Sequence, residues 1–229
     1  MNASFASQSI AKRLLHIRNE IPSEVQIEAV SKFQPVRFIQ EAYEAGQRIF
    51  GESRVQELME KIPLLPTDIQ WHFIGHLQTN KVKQLIGHTS MIESVDSEKL
   101  LTLIDVESRK KNVVTRVLLQ VHVAKEETKY GFLPSEIKEY FEKKKYEVLT
   151  HTHISGLMAM ASNTDDENRV REDFRLVRDL FAEISTTISP DLRDFDTLSM
   201  GMSGDWPLAV EEGSTIVRIG SAIFGERFY

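Results

Sequence analysis

The segment TIVRIGSAIFG, residues 215–225, decides the fold because it contains the last of eight short apolar runs in the sequence. Runs of this length and composition are typical of β-strands. The seven runs that precede it are QIEAVSK (26–32), RIFGES (48–53), IQWHFIGH (69–76), MIESVD (91–96), VTRVLLQVHV (114–123), EVLTHTHISGLM (147–158) and DTLSMGMS (196–203).

Amphipathic helical patterns separate these runs, and no linker rich in Pro, Gly or Ser interrupts the alternation. The runs are nearly continuous in apolar residues, as expected for parallel strands that are covered on both faces. This pattern suits an open doubly wound sheet or a closed barrel, and the count of eight favours the barrel. We therefore predict an α/β fold, a single (β/α)8 TIM barrel formed by residues 1–229 as one domain.

One helix is predicted in addition to those of the barrel. Between residues 7 and 20, Ile10, Leu14, Leu15 and Ile17 recur at helical spacing. We expect this N-terminal helix, within residues 1–20, to pack on the barrel.

The composition narrows the class of protein. Hydrophobic residues make up 41% of the chain and 27% are charged, which is enough apolar content for a sizeable core. The net charge of −6 argues against nucleic acid as a partner, because nucleic-acid binding needs a basic surface. Cysteine is absent, which excludes disulfides, and no signal peptide or membrane-spanning stretch is recognisable. These features predict a cytoplasmic protein that does not bind membranes.

Lys32 ends the first strand-like run, in AVSKFQP. Active sites of such barrels lie at the carboxyl ends of the strands, where a partly desolvated lysine amine can attack an aldehyde. The position alone also suits an ordinary exposed lysine at the start of a loop.

The last two runs carry a complementary feature, because the loops after strands seven and eight usually form the phosphate site of these barrels. Here they read LSMGMSGDW (198–206) and VRIGSAIFG (217–225). Glycines allow close approach of an anion to the backbone and serines offer hydroxyl donors. A lysine opposite a phosphate site suggests pyridoxal phosphate. Arg218 is predicted to point into the barrel, where a charged side chain needs a partner. The candidate loop residues are Ser199, Gly201, Ser203, Gly204, Gly220 and Ser221.

Taken in order, several motifs resemble the pyridoxal phosphate homeostasis protein family. They are AVSKFQP, IFGESRVQE, WHFIGHLQTNKVK, SVDS, TKYGF, SGLMAMA, LSMGMSGDW and VRIGSAIFG. The resemblance implies a barrel related to the N-terminal domain of alanine racemase, with the cofactor held as a Schiff base on Lys32 and Arg218 facing its pyridine nitrogen. It places Ser199, Gly201, Ser203, Gly220 and Ser221 in the phosphate-binding loops. Ser53 departs from the family pattern, in which relatives commonly have asparagine.

The same resemblance bears on activity. Racemases of this fold type add a second domain and a dimer partner, and racemisation needs an acid or base on each face of the substrate carbon. The sequence ends at Tyr229, directly after the last barrel segment. We therefore expect no catalytic residues but a monomeric carrier that stores pyridoxal phosphate or delivers it to apo-enzymes. A weak amino-acid racemase is the alternative.

A third hypothesis is a metal-dependent barrel hydrolase built on His151 and His153, which share one face of a strand. His72 and His122 could approach from other strands, but no Asp or Glu is obviously placed to complete a site. We therefore predict no metal.

Overall fold

The computed structural model describes residues 9–123, 130–190 and 192–225, and within them eight parallel strands close into a barrel in sequence order. This confirms the predicted fold. Each strand pairs with the next, and β1 pairs with β8 to close the sheet. The strands are β1 (Gln26–Val30), β2 (Ile49–Glu52), β3 (Gln70–Phe73), β4 (Met91–Val95), β5 (Thr115–Val121), β6 (Thr152–Ala159), β7 (Thr197–Met202) and β8 (Ile216–Ile219).

Helices alternate with the strands and surround the barrel. In the described part of the chain the α-helices are α1 (Ile10–Glu20), α2 (Val36–Glu44), α3 (Val55–Lys61), α4 (Val82–Leu85), α5 (Glu98–Lys111), α6 (Pro134–Glu142), α7 (Glu167–Glu183), α8 (Trp206–Glu211) and α9 (Ser221–Phe224). None of the described helices is both long enough and apolar enough to span a bilayer.

Helix α1 is the predicted addition to the barrel. Its buried face contains Ile10, Leu14 and Ile17, whereas Leu15 is exposed. The amide of Ile10 donates to Glu41 in α2, and Arg13 donates to the carbonyl of Ile223 in α9. The helix therefore packs across the first and last helices of the barrel. Residues 1–8 of the predicted segment lie outside the described residues.

The strand boundaries differ from the sequence prediction mainly at β6. The apolar run was predicted to begin at Glu147, but the strand begins at Thr152, because Lys145–Val148 form a 3-10 turn. The helix predicted from Thr79 likewise begins with a 3-10 turn, at Thr79–Lys81. Residues 128 and 129 of the TKYGF motif lie outside the described residues.

Two apolar clusters form the core. The larger one lies between the strands and the helices, where Ile92, Leu119 and Leu157 pack. Residues on the opposite face of the same strands form a small separate cluster of Met91, Leu118 and Met158. Because side chains alternate along a strand, this second cluster lies on the face directed into the barrel.

Candidate functional site

A cavity of about 600 Å³ lies at the carboxyl ends of the strands. Lys32 and Arg218 lie on opposite sides of the β1–β8 seam that closes the barrel. Of the predicted site residues, Ser199 and Gly201 do not line this cavity. Among the described residues, the lining consists of Val30, Lys32, Ile74, Met158, Met160, Met202, Ser203, Gly204, Arg218, Gly220 and Ser221.

Lys32 lies in a tight turn directly after β1. The following residue, Phe33, has a φ of 63°, in the left-handed region that bulky residues rarely adopt. Its amide donates a 2.6 Å hydrogen bond to Glu57 in α3, and the Arg54 guanidinium lies 4.6 Å from its ring centre. Contacts with the β2–α3 segment therefore hold the turn in this conformation.

A buried lysine supports the same turn from below. Lys61 donates from Nζ to the carbonyl of Ser31 at 2.9 Å, to Glu52 at 2.7 Å and to Glu57 at 2.6 Å. The Ser31 hydroxyl also donates to Glu52, at 2.6 Å. Burial raises the pKa of Glu52, and the nearby Lys61 ammonium opposes that rise. Ser31, the residue before Lys32, is thereby fixed by a buried ion-pair network.

Arg218 forms part of the cavity floor, with 4% of its surface exposed. One guanidinium nitrogen donates to the carbonyl oxygen of Ser199 at 2.9 Å and to its hydroxyl at 2.6 Å. The other donates to the carbonyl of Ala159 at 2.8 Å. These hydrogen bonds fix the plane of the guanidinium.

Below Arg218, the hydrogen bonds continue into the barrel. The Ser199 hydroxyl donates to Glu93 at 2.6 Å, and the other Glu93 oxygen lies 2.7 Å from His72 Nδ1. The same His72 nitrogen lies 3.2 Å from Glu28. We call Glu28, His72 and Glu93 the interior triad. Its side chains are at most 5% exposed.

Glycine at position 51 makes room for this triad. A Cβ atom there would lie 1.9 Å from one carboxylate oxygen of Glu28, and that oxygen has no hydrogen-bond partner. The barrel therefore accepts the Glu28 carboxyl group only because β2 carries no side chain opposite it.

The three side chains of the triad differ widely in pKa. Burial, and then the Glu93 charge, raise the pKa of Glu28 to about 8. Burial opposes the charged form of His72, but the hydrogen bonds and charges of Glu28 and Glu93 outweigh it and raise the pKa of His72 to about 9. Burial also opposes the charged form of Glu93, but the hydrogen bond and charge of His72 outweigh it and lower the pKa of Glu93 to about 2. At neutral pH the triad therefore consists of a neutral Glu28, a charged imidazolium and a charged Glu93.

The two predicted phosphate loops contact each other at the edge of the cavity. The Ser203 hydroxyl accepts a 3.1 Å hydrogen bond from the amide of Gly220. Gly201 has a φ of 88°, and a Cβ atom there would lie 2.6 Å from Ala209, so its role is to let α8 pack on β7. Ser199 also differs from the expectation: its hydroxyl is engaged by Glu93 and Arg218 and is completely buried, so it does not face the cavity.

The histidines of the metal hypothesis do not converge. His151 precedes β6 and His153 is its second residue, so both lie at the amino end of the barrel, opposite the cavity. Their ring nitrogens lie near the Thr150 hydroxyl and the carbonyl of Arg193, respectively. His72, in contrast, lies between Glu28 and Glu93. This corrects the expectation that no Asp or Glu is placed to complete a site with these histidines. Those groups are hydrogen-bonded to one another, and we interpret them as a proton-sharing network.

Sequence reasoning missed Glu28, Glu93 and Lys61. The first two had the same signal that singled out Arg218, a charged residue inside an apolar strand run, in QIEAV and MIESV. Lys61 ends an amphipathic helix and resembles any solvated lysine in the sequence.

The sequence and the fold are similar to those of known proteins. The family model described as alanine racemase, N-terminal domain, matches residues 6–228. The pyridoxal phosphate homeostasis protein of Aquifex aeolicus is 43% identical over 201 residues, covering 87% of this chain and 86% of the relative. The human protein of the same name is 39% identical over 236 residues, covering 97% of this chain and 82% of the relative.

Solved structures extend the comparison. PipY of Synechococcus elongatus, solved with pyridoxal phosphate bound, has a TM-score of 0.86 at 38% identity, covering 94% of this chain and 100% of that one. Alanine racemase of Clostridium difficile has a TM-score of 0.74 at 14% identity and shares the fold, with 95% of this chain aligned to 56% of the racemase.

Proposed function

Because the chain belongs to the pyridoxal phosphate homeostasis protein family, we propose that it binds pyridoxal 5′-phosphate in the described cavity and acts in its storage and delivery. The observation that carries the proposal is the joint lining of one cavity by Lys32, Arg218 and the two loops joined through Ser203. Supporting it, PipY, at 38% identity, has been solved with this ligand.

The residues of the cavity suit each part of the ligand. Lys32 supplies an amine for the aldehyde, and Arg218 supplies a fixed cation for the ring nitrogen. A Cβ atom at Gly204 would meet no other atom within 4 Å, so the backbone there is open to a phosphate group. Ser203 and Ser221 add hydroxyl donors beside it.

Attachment requires no co-reactant. The neutral Lys32 amine attacks the aldehyde carbon, a carbon–nitrogen double bond forms, and the aldehyde oxygen leaves as water. An incoming amine, such as a lysine of an apo-enzyme, reverses the attachment by taking the carbon and returning the amine to Lys32. The protein then serves as a carrier of a reactive aldehyde.

The lining favours a carrier over a racemase. Among the described residues that line the cavity, Lys32 and Arg218 are the ionisable ones. Arginine side chains do not give up their proton in proteins, which leaves the Lys32 amine as the proton-transfer group among these residues. Racemisation requires proton transfer on both faces of the substrate carbon. In addition, the positive charge of Arg218 disfavours protonation of the ring nitrogen, which weakens the ring as an electron sink.

Borohydride reduction of the ligand-loaded protein, followed by peptide mass mapping, tests the attachment site. We expect a pyridoxyl adduct on Lys32. The adduct should be lost in Lys32→Ala and retained in Lys83→Ala, which replaces an exposed lysine of α4. An adduct on another lysine in the unmodified protein would refute the assignment.

A racemase is the second candidate, since the chain matches the alanine racemase N-terminal family model. Purified protein is incubated with L-alanine and the D-enantiomer is measured. We expect no conversion above that of free pyridoxal phosphate. Conversion that exceeds this level and disappears in Lys32→Ala would replace the carrier proposal.

A further inference from the structure

The barrel interior contains a continuous chain of polar groups that begins at the cavity floor. It runs from Arg218 through the Ser199 hydroxyl to Glu93, and from there through His72 to Glu28. Five different strands contribute these side chains: β8, β7, β4, β3 and β1. Only Arg218, at one end of this chain, lines the cavity.

Stability alone does not account for such an interior. Desolvating ionised groups is costly, and well-packed apolar residues of similar volume are often as stabilising as a buried ion pair. Other barrel positions do use apolar side chains, as the Met91, Leu118 and Met158 cluster shows. One oxygen of Glu28 also has no hydrogen-bond partner, although it is completely buried. The polar chain thus retains groups that a purely structural core would omit.

Glu93 is the carboxylate that connects the interior triad to Arg218. It lies 4.0 Å from the Arg218 guanidinium, and the Ser199 hydroxyl bridges the two side chains. The other hydrogen bonds of the guanidinium go to the backbone carbonyls of Ser199 and Ala159, which carry no net charge. The position and electrostatic surroundings of Arg218 therefore depend on Glu93.

We infer that Glu28, His72 and Glu93 are positioning residues that act through Ser199 to hold Arg218 against the bound ligand and to tune its field. The inference rests on the proposed function, because it takes pyridoxal phosphate as the ligand above Arg218. These three residues do not contact the ligand, but they change the pKa values of its ionisable groups.

The charged and titratable groups that face this chain can be named from each neighbouring element. They are Glu28 from β1, His72 from β3, Glu93 from β4 and Arg218 from β8, together with Asp205 before α8, which interacts electrostatically with Arg218. At neutral pH the triad and Arg218 together carry one net positive charge. Replacing Glu93 by glutamine removes the negative charge that lies 4.0 Å from Arg218. Glu28 then ionises more readily and His72 loses its proton more readily, but both lie further along the polar chain from the cavity, so the field at the ligand still becomes more positive.

The test compares Glu93→Gln, Ser199→Ala and their double variant, all loaded with pyridoxal phosphate. Glu212→Gln is the matched control, because Glu212 is also buried but bonds to Arg175 and Arg178, which do not line the cavity. Two quantities are measured: the pH midpoint of the bound chromophore's absorbance change, and the dissociation constant for pyridoxal phosphate. Unfolding curves report stability separately.

In Glu93→Gln the added positive field disfavours a protonated chromophore, so we expect its proton affinity to fall by a factor of roughly three to ten. Loss of the Ser199 bridge should weaken ligand binding roughly two- to tenfold, as for one hydrogen bond. If Glu93 acts through Ser199, the double variant binds the ligand with the same affinity as the single variant that has the lower affinity. Glu212→Gln changes neither quantity.

The inference is overturned if the pH midpoint of the absorbance change and the affinity for pyridoxal phosphate are unchanged in both single variants. If the unmodified protein loads normally, the proposed function remains intact. A metal ion that copurifies with the protein and is lost in Glu93→Gln would also overturn the inference. If Glu93→Gln does not fold, Ser199→Ala decides alone, because it removes one hydroxyl and leaves every charge in place. Failure of the unmodified protein to bind pyridoxal phosphate would overturn both.

Discussion

The Nζ atom of Lys61 lies 2.9 Å from the backbone carbonyl oxygen of Ser31, the residue directly before Lys32. This hydrogen bond joins the end of α3 to the turn that carries the candidate ligand-binding amine. Because Lys61 also pairs with Glu52 and Glu57, the turn is fixed by a buried charged group with little freedom to move.

Replacing Lys61 by methionine should be strongly destabilising. The variant leaves Glu52 and Glu57 without their cation, and breaking a buried pair costs about 3–5 kcal/mol. The free energy of unfolding in urea measures the loss. Lys138→Met is the control, because its pair with Glu183 is about 40% exposed on each side and contributes at most about 1 kcal/mol. Equal losses in the two variants would refute the proposed role of Lys61.

The Lys61 variant should also load pyridoxal phosphate more slowly at Lys32, since the turn loses its support. Stopped-flow absorbance measures the rate, under conditions in which circular dichroism shows the variant to be folded. A folded variant that loads at the normal rate would show that α3 stabilises the turn without positioning the amine.

Replacing Arg218 by glutamine should leave the attachment to Lys32 intact but change the visible spectrum of the bound ligand and its pH dependence. The variant removes a charge from the ring side of the cavity and does not touch the amine. Mass mapping after borohydride reduction checks the attachment, and a spectral pH titration checks the electronics. A titration identical to that of the unmodified protein would remove Arg218 from the ring.

The interior triad predicts how stability depends on pH. The folded-state pKa of Glu28, about 8, lies above its ordinary value of 4.5, and that of His72, about 9, lies above 6.5. Folding therefore takes up protons, and stability falls as pH rises through these windows. The side chain of residue 28 cannot ionise in Glu28→Gln. The stability of this variant should therefore decline less steeply between pH of about 6 and 8, by up to about 1.4 kcal/mol per pH unit. Urea unfolding across this range measures the slopes, and parallel profiles would contradict the assignment.

Gly51 should not tolerate alanine. The new methyl group would lie 1.9 Å from the Glu28 carboxyl oxygen, so the carboxyl group must move within a closed barrel. We expect a loss of about 1–3 kcal/mol, as for overpacked cores. Gly204→Ala is the control, because a Cβ atom there meets nothing within 4 Å, and its stability should change by at most about 0.5 kcal/mol. Thermal or urea unfolding compares the two.

The barrel and much of its candidate site could be predicted from the sequence, because both depend on local patterns. Apolar runs alternate with amphipathic helices, and a closed parallel sheet places the ends of all its strands at one mouth. Lys32 and Arg218 were therefore expected at a common cavity, and they line one. Glycines and serines of the last two loops were expected beside them, as Ser203, Gly220 and Ser221 are.

What only the tertiary structure decided is which inward-facing side chains meet. Alternation predicts that Glu28 and Arg218 face inward. It does not reveal that Glu28, 44 residues from His72, and Glu93 both contact the same His72 nitrogen. Nor does it show that the Ser199 hydroxyl bonds within the barrel rather than facing the cavity. The physical reason is closure: strand order, register and tilt together set the neighbours across the interior, and no local pattern contains them.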